Sequence, residues 1–174
     1  SQGKKIWNKK LGKITVEGGT ENDKSVFYTS LYRTYERMIN ISEDGRYYSA
    51  FDCKVHDDNG IPFYTDDWIW DTYRATHPLR VLIEPEIECD MISSYIRMAE
   101  QTPQGWMPTF PEVVGDSHRM NGNHAIAVIW DAYSKGLTNF SLERAYEACQ
   151  KAIMEKTLLP WQKLPLTELD KFYH

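Results

Sequence analysis

A chain of 174 residues can bury roughly two thirds of its unfolded surface, so a single domain with one core is the first expectation. The formal net charge of -5 is spread along the chain without a Lys/Arg cluster, which argues against a nucleic-acid partner, and no stretch approaches the roughly 18 apolar residues of a membrane span. Aromatic residues make up 13%, including six Trp and eleven Tyr, which fits either a large core or a carbohydrate site, where flat rings stack on the C–H faces of sugars.

The opening Ser-Gln-Gly-Lys-Lys is not a signal peptide, as expected of a mature segment. Residues 4–12 combine Ile6, Trp7 and Leu11 with four lysines and predict a short lead-in helix, closed by Gly12 in a left-handed conformation. After Gly18-Gly19, Thr20 and Asp23 form a capping-box pattern that starts a helix bearing Phe27, Leu31, Tyr35 and Met38 on one face and running to about Met38. Gly, Asp and Asn punctuation between Ile41 and Thr65 predicts a long loop with a hairpin near Arg46 to Phe51.

A helix is expected from Asp66 or Asp67 until His77-Pro78 disturbs it, and another after Pro85, buried through Met91, Ile92, Tyr95, Ile96, Met98 and Ala99. The segment from Gly105 to Met120 reads as a loop. Two helices follow: His124 to Lys135, ended by Gly136, and a last one capped by Ser141 that carries Leu142, Ala145, Tyr146, Cys149, Ala152 and Ile153. Pro160 and Pro165 then lead into a polar tail. Cys53, Cys89 and Cys149 are odd in number and far apart, and are expected as buried free thiols. The result is an all-α chain, either a simple bundle or a row of helical hairpins of the kind found in an α/α toroid.

Two clusters could carry chemistry. Asp67, Asp71 and Arg74, on one helical face beside Trp70, could hold sugar hydroxyls with an arginine-fixed carboxylate; the plainer alternative is a helix ion pair with Trp68 and Trp70 in the core. Glu112, Asp116, His118, Arg119, Asn123 and His124 lie where a loop enters a helix N-terminus, a place that suits polar ligands but is equally well explained by capping and solvation. Two spaced histidines do not make a metal motif, and no carboxylate is marked as a glycosidase acid.

At these clusters the chain resembles glycoside hydrolase family 92, the α-mannosidases. Lys5 to Gly12, Phe27 to Met38, Thr65 to Leu79 (TDDWIWDTYRATHPL), Gly105 to Pro111 and His118 to Gly136 (HRMNGNHAIAVIWDAYSKG) carry the resemblance, most specifically at WDTYR-x-x-HPL. It implies a partial (α/α)6 toroid over residues 1–174, from an exo-acting, inverting, Ca²⁺-dependent and exported α-mannosidase acting on terminal mannose, with α-1,2 linkages expected. By resemblance, Trp70, Asp71, Arg74, Arg119, Asn123 and His124 line the mannose pocket. The family's general acid and base lie in EGN-type and GNDD-type motifs that this sequence does not contain, so no catalytic residue, no Ca²⁺ ligand and no activity are expected of the chain alone. The expected partners are a mannose-bearing glycan and either the rest of the catalytic domain or a second copy. The competing reading is a non-catalytic helical module that binds glycans or proteins.

Overall fold

A computed structural model describes residues 1–120 and 122–156, which fall into two compact units divided after Arg37; the proline-led tail lies outside the described residues. The first unit holds α1 (Gln2–Leu11) and α2 (Glu21–Arg33). Trp7 of α1 meets the rings of Tyr32 and Tyr35 at centroid distances of 4.6 and 5.8 Å, and the Tyr35 hydroxyl donates to the Lys10 carbonyl. The capping box forms as expected: the Asp23 N–H donates to Thr20 Oγ1, and the Thr20 N–H donates to the Asp23 carboxylate.

Two expectations for this unit change. Gly12 has φ -71°, not a left-handed value; its glycine is explained by space, since a Cβ there would stand 2.7 Å from the Asn8 carbonyl oxygen. Helix α2 ends at Arg33 instead of Met38, where the β-branched Thr34 turns its hydroxyl back onto the Leu31 carbonyl at 2.7 Å.

The second unit is built around α5 (Pro85–Glu100), against which α4 (Thr76–Ile83), α6 (His124–Ser134) and α7 (Leu142–Glu155) all pack. Pro85 occupies the first turn of α5, where its missing N–H removes no helical bond. Its apolar positions 91, 92, 95, 96, 98 and 99 are all buried, as their spacing predicts. Helix α6 stops in a Schellman arrangement: Gly136 has φ +93°, its N–H bonds the Tyr133 carbonyl, and the Leu137 N–H bonds the Ala132 carbonyl.

The all-α expectation needs amending, because three two-stranded antiparallel ladders accompany the helices where one hairpin was foreseen. Strand β1 (Ile39–Asn40) pairs with β4 (Tyr64–Thr65), closing the long loop at its base, while β2 (Arg46–Ser49) and β3 (Lys54–Asp57) form the foreseen hairpin inside it. The loop is pinned to α5 by side chains. Gln101 bonds both Ser49 Oγ and the Tyr47 hydroxyl at 2.7 Å, and the Arg97 guanidinium lies over the stacked Tyr47 and Phe63 rings while donating to the Ile61 and Pro62 carbonyls. The Gly105–Met120 segment contains the third ladder, β5 (Pro111–Glu112) with β6 (Gly115–Asp116). Cys89 and Cys149 are buried free thiols, but Cys53 is exposed at the tip of the β2–β3 hairpin with φ +59°.

Candidate functional site

The WDTYR segment folds as one short turn, α3 (Ile69–Thr72), and the structure separates residues that helical spacing had placed together. Asp67 precedes the helix. Asp66, at φ +62°, reverses the backbone and sends the Asp67 side chain into the interior, where it is fully buried. There it accepts hydrogen bonds from Thr72 Oγ1 at 2.8 Å, from His77 Nε2 at 3.0 Å and from the Tyr95 hydroxyl.

His77 Nδ1 in turn meets Glu88 Oε1 at 2.8 Å, so each ring nitrogen faces a carboxylate and the imidazole is doubly protonated. Burial alone pushes His77 down, but the charges of Glu88 and Asp67 outweigh it and lift its pKa to about 10. For Asp67 burial pushes upward, and the His77 charge with the three hydrogen bonds holds it below the ordinary carboxylate range. His77-Pro78, expected to disturb a helix, instead lies in the first turn of α4, where a proline costs no hydrogen bond.

On the solvent side of this network stand four side chains that do come together. Arg74 lies 5.6 Å from the Trp70 ring and 5.7 Å from the Tyr73 ring, within cation–π range of both. His124, the first residue of α6, stacks on Tyr73 at 4.2 Å with an interplanar angle of 4° and meets Trp70 edge-on at 5.2 Å. Gly122, at φ +107°, makes room for that ring, since a Cβ there would sit 2.7 Å from His124 Nε2. Beside it, Asn123 occupies the N-cap of α6 without making a side-chain cap, and its Oδ1 is buried with no hydrogen-bond partner among the described residues.

The remaining expected residues behave differently. Asp71 is exposed and forms no ion pair with Arg74 among the described residues, so the arginine-fixed carboxylate foreseen from the spacing is replaced by an arginine laid on aromatic rings. Arg119 is half exposed and ion-paired with Glu112 at 3.2 Å. Asp116 organises its own loop: it accepts from the Thr109, Phe110 and His118 N–H groups at 2.7–2.9 Å. Burial drives its carboxyl up, while the His118 side chain and the Thr109 and His118 N–H groups bring it below the usual range. With His118 it borders a separate cleft of about 280 Å³ that also includes Trp106 and Gln104.

Spacing within WDTYR could have found Tyr73, which stands at i+3 from Trp70 as Arg74 stands at i+4. Nothing local in the sequence marks His77, Thr72 or Gly122 for the roles they take. Among the described residues no three His, Cys, Asp or Glu side chains are grouped to hold a metal ion. Asp67 and Glu88 are fully buried, which removes them as a substrate-facing acid and base.

The model of the glycosyl hydrolase family 92 catalytic domain matches residues 1–171. The family 92 α-mannosidase of Bacteroides thetaiotaomicron, solved in complex with mannoimidazole, is 30% identical with a TM-score of 0.83, over 88% of this chain and 20% of that one. An inverting family 92 mannosidase of Bacteroides thetaiotaomicron VPI-5482 is 36% identical with a TM-score of 0.75, over 84% of this chain and 20% of its own. Among curated proteins no relative matches. This chain thus spans about a fifth of the length of the solved enzymes it matches. With a match along nearly all of its residues and solved neighbours of the same kind, the chain belongs to the glycoside hydrolase family 92 catalytic domain family.

Proposed function

We propose that this chain forms part of the (α/α)6 toroid of an exported, exo-acting α-mannosidase that removes terminal mannose, from α-1,2 linkages first of all, with inversion, and that Trp70, Asp71, Arg74, Asn123 and His124 belong to its mannose pocket. The observation that carries the reading is the meeting of Trp70, Tyr73, Arg74 and His124, with Asp71 exposed next to Trp70 in the chain. A hexose offers a flat C–H face for such rings and hydroxyls that accept hydrogen bonds from a guanidinium and donate them to a carboxylate. Arg119, engaged by Glu112, enters the pocket only if that half-exposed pair opens or presents its free donors toward the sugar.

The chemistry of glycoside inversion needs an acid and a base on opposite faces of the sugar, and the sequence contains neither family motif, so the chain supplies binding groups and the cleaving groups come from elsewhere in the enzyme. Ca²⁺, which the family resemblance implies for the complete enzyme, would take its ligands from elsewhere in that enzyme. The exposed rings of Trp130, Tyr133 and Tyr146, with Ile153 and Met154, form an apolar surface on α6 and α7 suited to the remainder of the catalytic domain, or failing that to a second copy.

Calorimetric titration of mannose and a mannobiose into the wild-type chain and Asp71→Ala, with and without Ca²⁺, tests the reading. Weak binding that falls roughly 10-fold or more in the variant is expected, since a charge-assisted hydrogen bond contributes about 1.5–3 kcal/mol. Binding unchanged by the substitution would remove Asp71 from the pocket. A folded wild type that ignores both sugars would leave no mannose site in this chain alone.

A further inference from the structure

The buried carboxylate of Asp67 ties together parts of the chain far apart in sequence. It accepts from Thr72 at the end of α3, His77 in α4 and Tyr95 in α5, and the Asp67 N–H donates to the Pro111 carbonyl at 2.9 Å. None of these four side chains exceeds 8% exposure, so none touches a ligand. Stability alone is a poor reason for charge in such a place, because well-packed apolar groups of similar volume commonly serve as well.

What a carboxylate offers is direction. Helix α3 has four residues, no side-chain cap at Trp68, and too few turns to hold its own conformation. Thr72 Oγ1 lies 2.8 Å from Asp67 Oδ1 and 3.2 Å from the Trp68 carbonyl oxygen, so its hydroxyl sits between the buried carboxylate and the turn's own backbone; from the same stretch Trp70 and Tyr73 meet the His124 ring, and Arg74 lies over the rings of Trp70 and Tyr73. A change of roll at Thr72 moves all three together.

We propose that Asp67 and Thr72 are positioning residues that set the roll of α3 and thereby the stacking of Tyr73 on His124 and the presentation of Trp70 and Arg74. The proposal rests on the mannose-pocket reading only for its functional meaning, since the stacking itself is a property of the free protein. His77 from α4, with Glu88 and Tyr95 from α5, are the groups that face the Asp67 carboxylate directly or through the imidazole.

The test uses the whole chain with Thr72→Val, which keeps the shape and removes the hydroxyl, and Thr72→Ser, which returns it; Asp67→Asn is the second site. Proton NMR of the His124 imidazole reports its place over the Tyr73 ring through the ring current. Expected is a cooperative melt and unchanged far-ultraviolet dichroism for Thr72→Val, with the His124 ring protons displaced toward their random-coil positions, and recovery of the wild-type shifts in Thr72→Ser. Folded Thr72→Val or Asp67→Asn protein with wild-type His124 shifts would overturn the proposal, leaving the network a role in stability alone.

Parallel mannose titration separates the two readings. If wild type binds, Thr72→Val should lose roughly 10-fold or more in affinity, as expected when supporting residues let a site loosen, and Thr72→Ser should regain it. Displaced His124 shifts in a chain that never binds mannose would sustain the positioning role and count against the pocket.

Discussion

Helices α5 and α7 are neighbours of similar length with similarly periodic apolar residues, yet they meet opposite surroundings. In α5 large side chains fill the interior, and even Glu88 and Ser94 are fully buried. In α7 only Ala145, Ala148, Cys149 and Ala152 are buried, while Tyr146, Ile153 and Met154 stand 65%, 56% and 67% exposed. On α6 Trp130 is 66% exposed, while Ala125, Val128, Ile129 and Ala132 of the same helix are buried. One helix is the centre of this unit and the other keeps its large apolar groups in reserve for contacts the described residues do not provide.

The difference is sharpest where charge is buried. Replacing His77 by Ala removes the cation between Asp67 and Glu88, and should cost about 3–5 kcal/mol of unfolding free energy in urea titration, because breaking a buried pair leaves charge uncompensated. Ile92→Ala, at the apolar heart of α5, should cost about 2–5 kcal/mol in the same measurement, with the upper part of that range expected if the cavity cannot collapse. A loss below about 1 kcal/mol in either variant would break the contrast by showing that α5 tolerates loosening.

The pH dependence follows from the same groups. His77 is raised from 6.5 to about 10 by Glu88 and Asp67 against burial, so its contribution is complete below pH 6.5 and is lost as pH climbs through about 10. Asp67 is lowered, so its contribution is present above its ordinary value of 3.8 and is lost as pH falls through the lower folded value. Thermal melts across the alkaline range should show the first loss, and His77→Ala should abolish that part of it. On α7, Tyr146→Ser and Ile153→Ser should change stability by no more than about 0.5 kcal/mol. Sedimentation would show the effect they do have: less self-association than wild type, if the exposed face draws copies together.

How legible each part was depends on the range of the forces involved. The stripe of α5, the Thr20–Asp23 box and the Gly136 stop were readable because helix periodicity and capping act within a few residues. The break of the 66–77 segment into a loop, α3 and α4 was not, because Asp67 turns inward to bond groups on α4 and α5. For the candidate site, spacing brought out Trp70 and Arg74, and the polar cluster at the start of α6 brought out His124, but the Asp71–Arg74 pairing gave way to rings that the structure brings within reach of the guanidinium.

The sequence by itself determined the helical nature of the chain, most helix starts and stops, and its family likeness, since these rest on local geometry and on residue order. Only the tertiary structure decided that Asp67 is interior and Asp71 exposed, that His77 bridges two carboxyl groups, and that Tyr73 lies flat against His124. Two aspartates four residues apart look alike in a sequence; whether each meets water or a buried imidazole is settled by chain segments that fold against it from elsewhere.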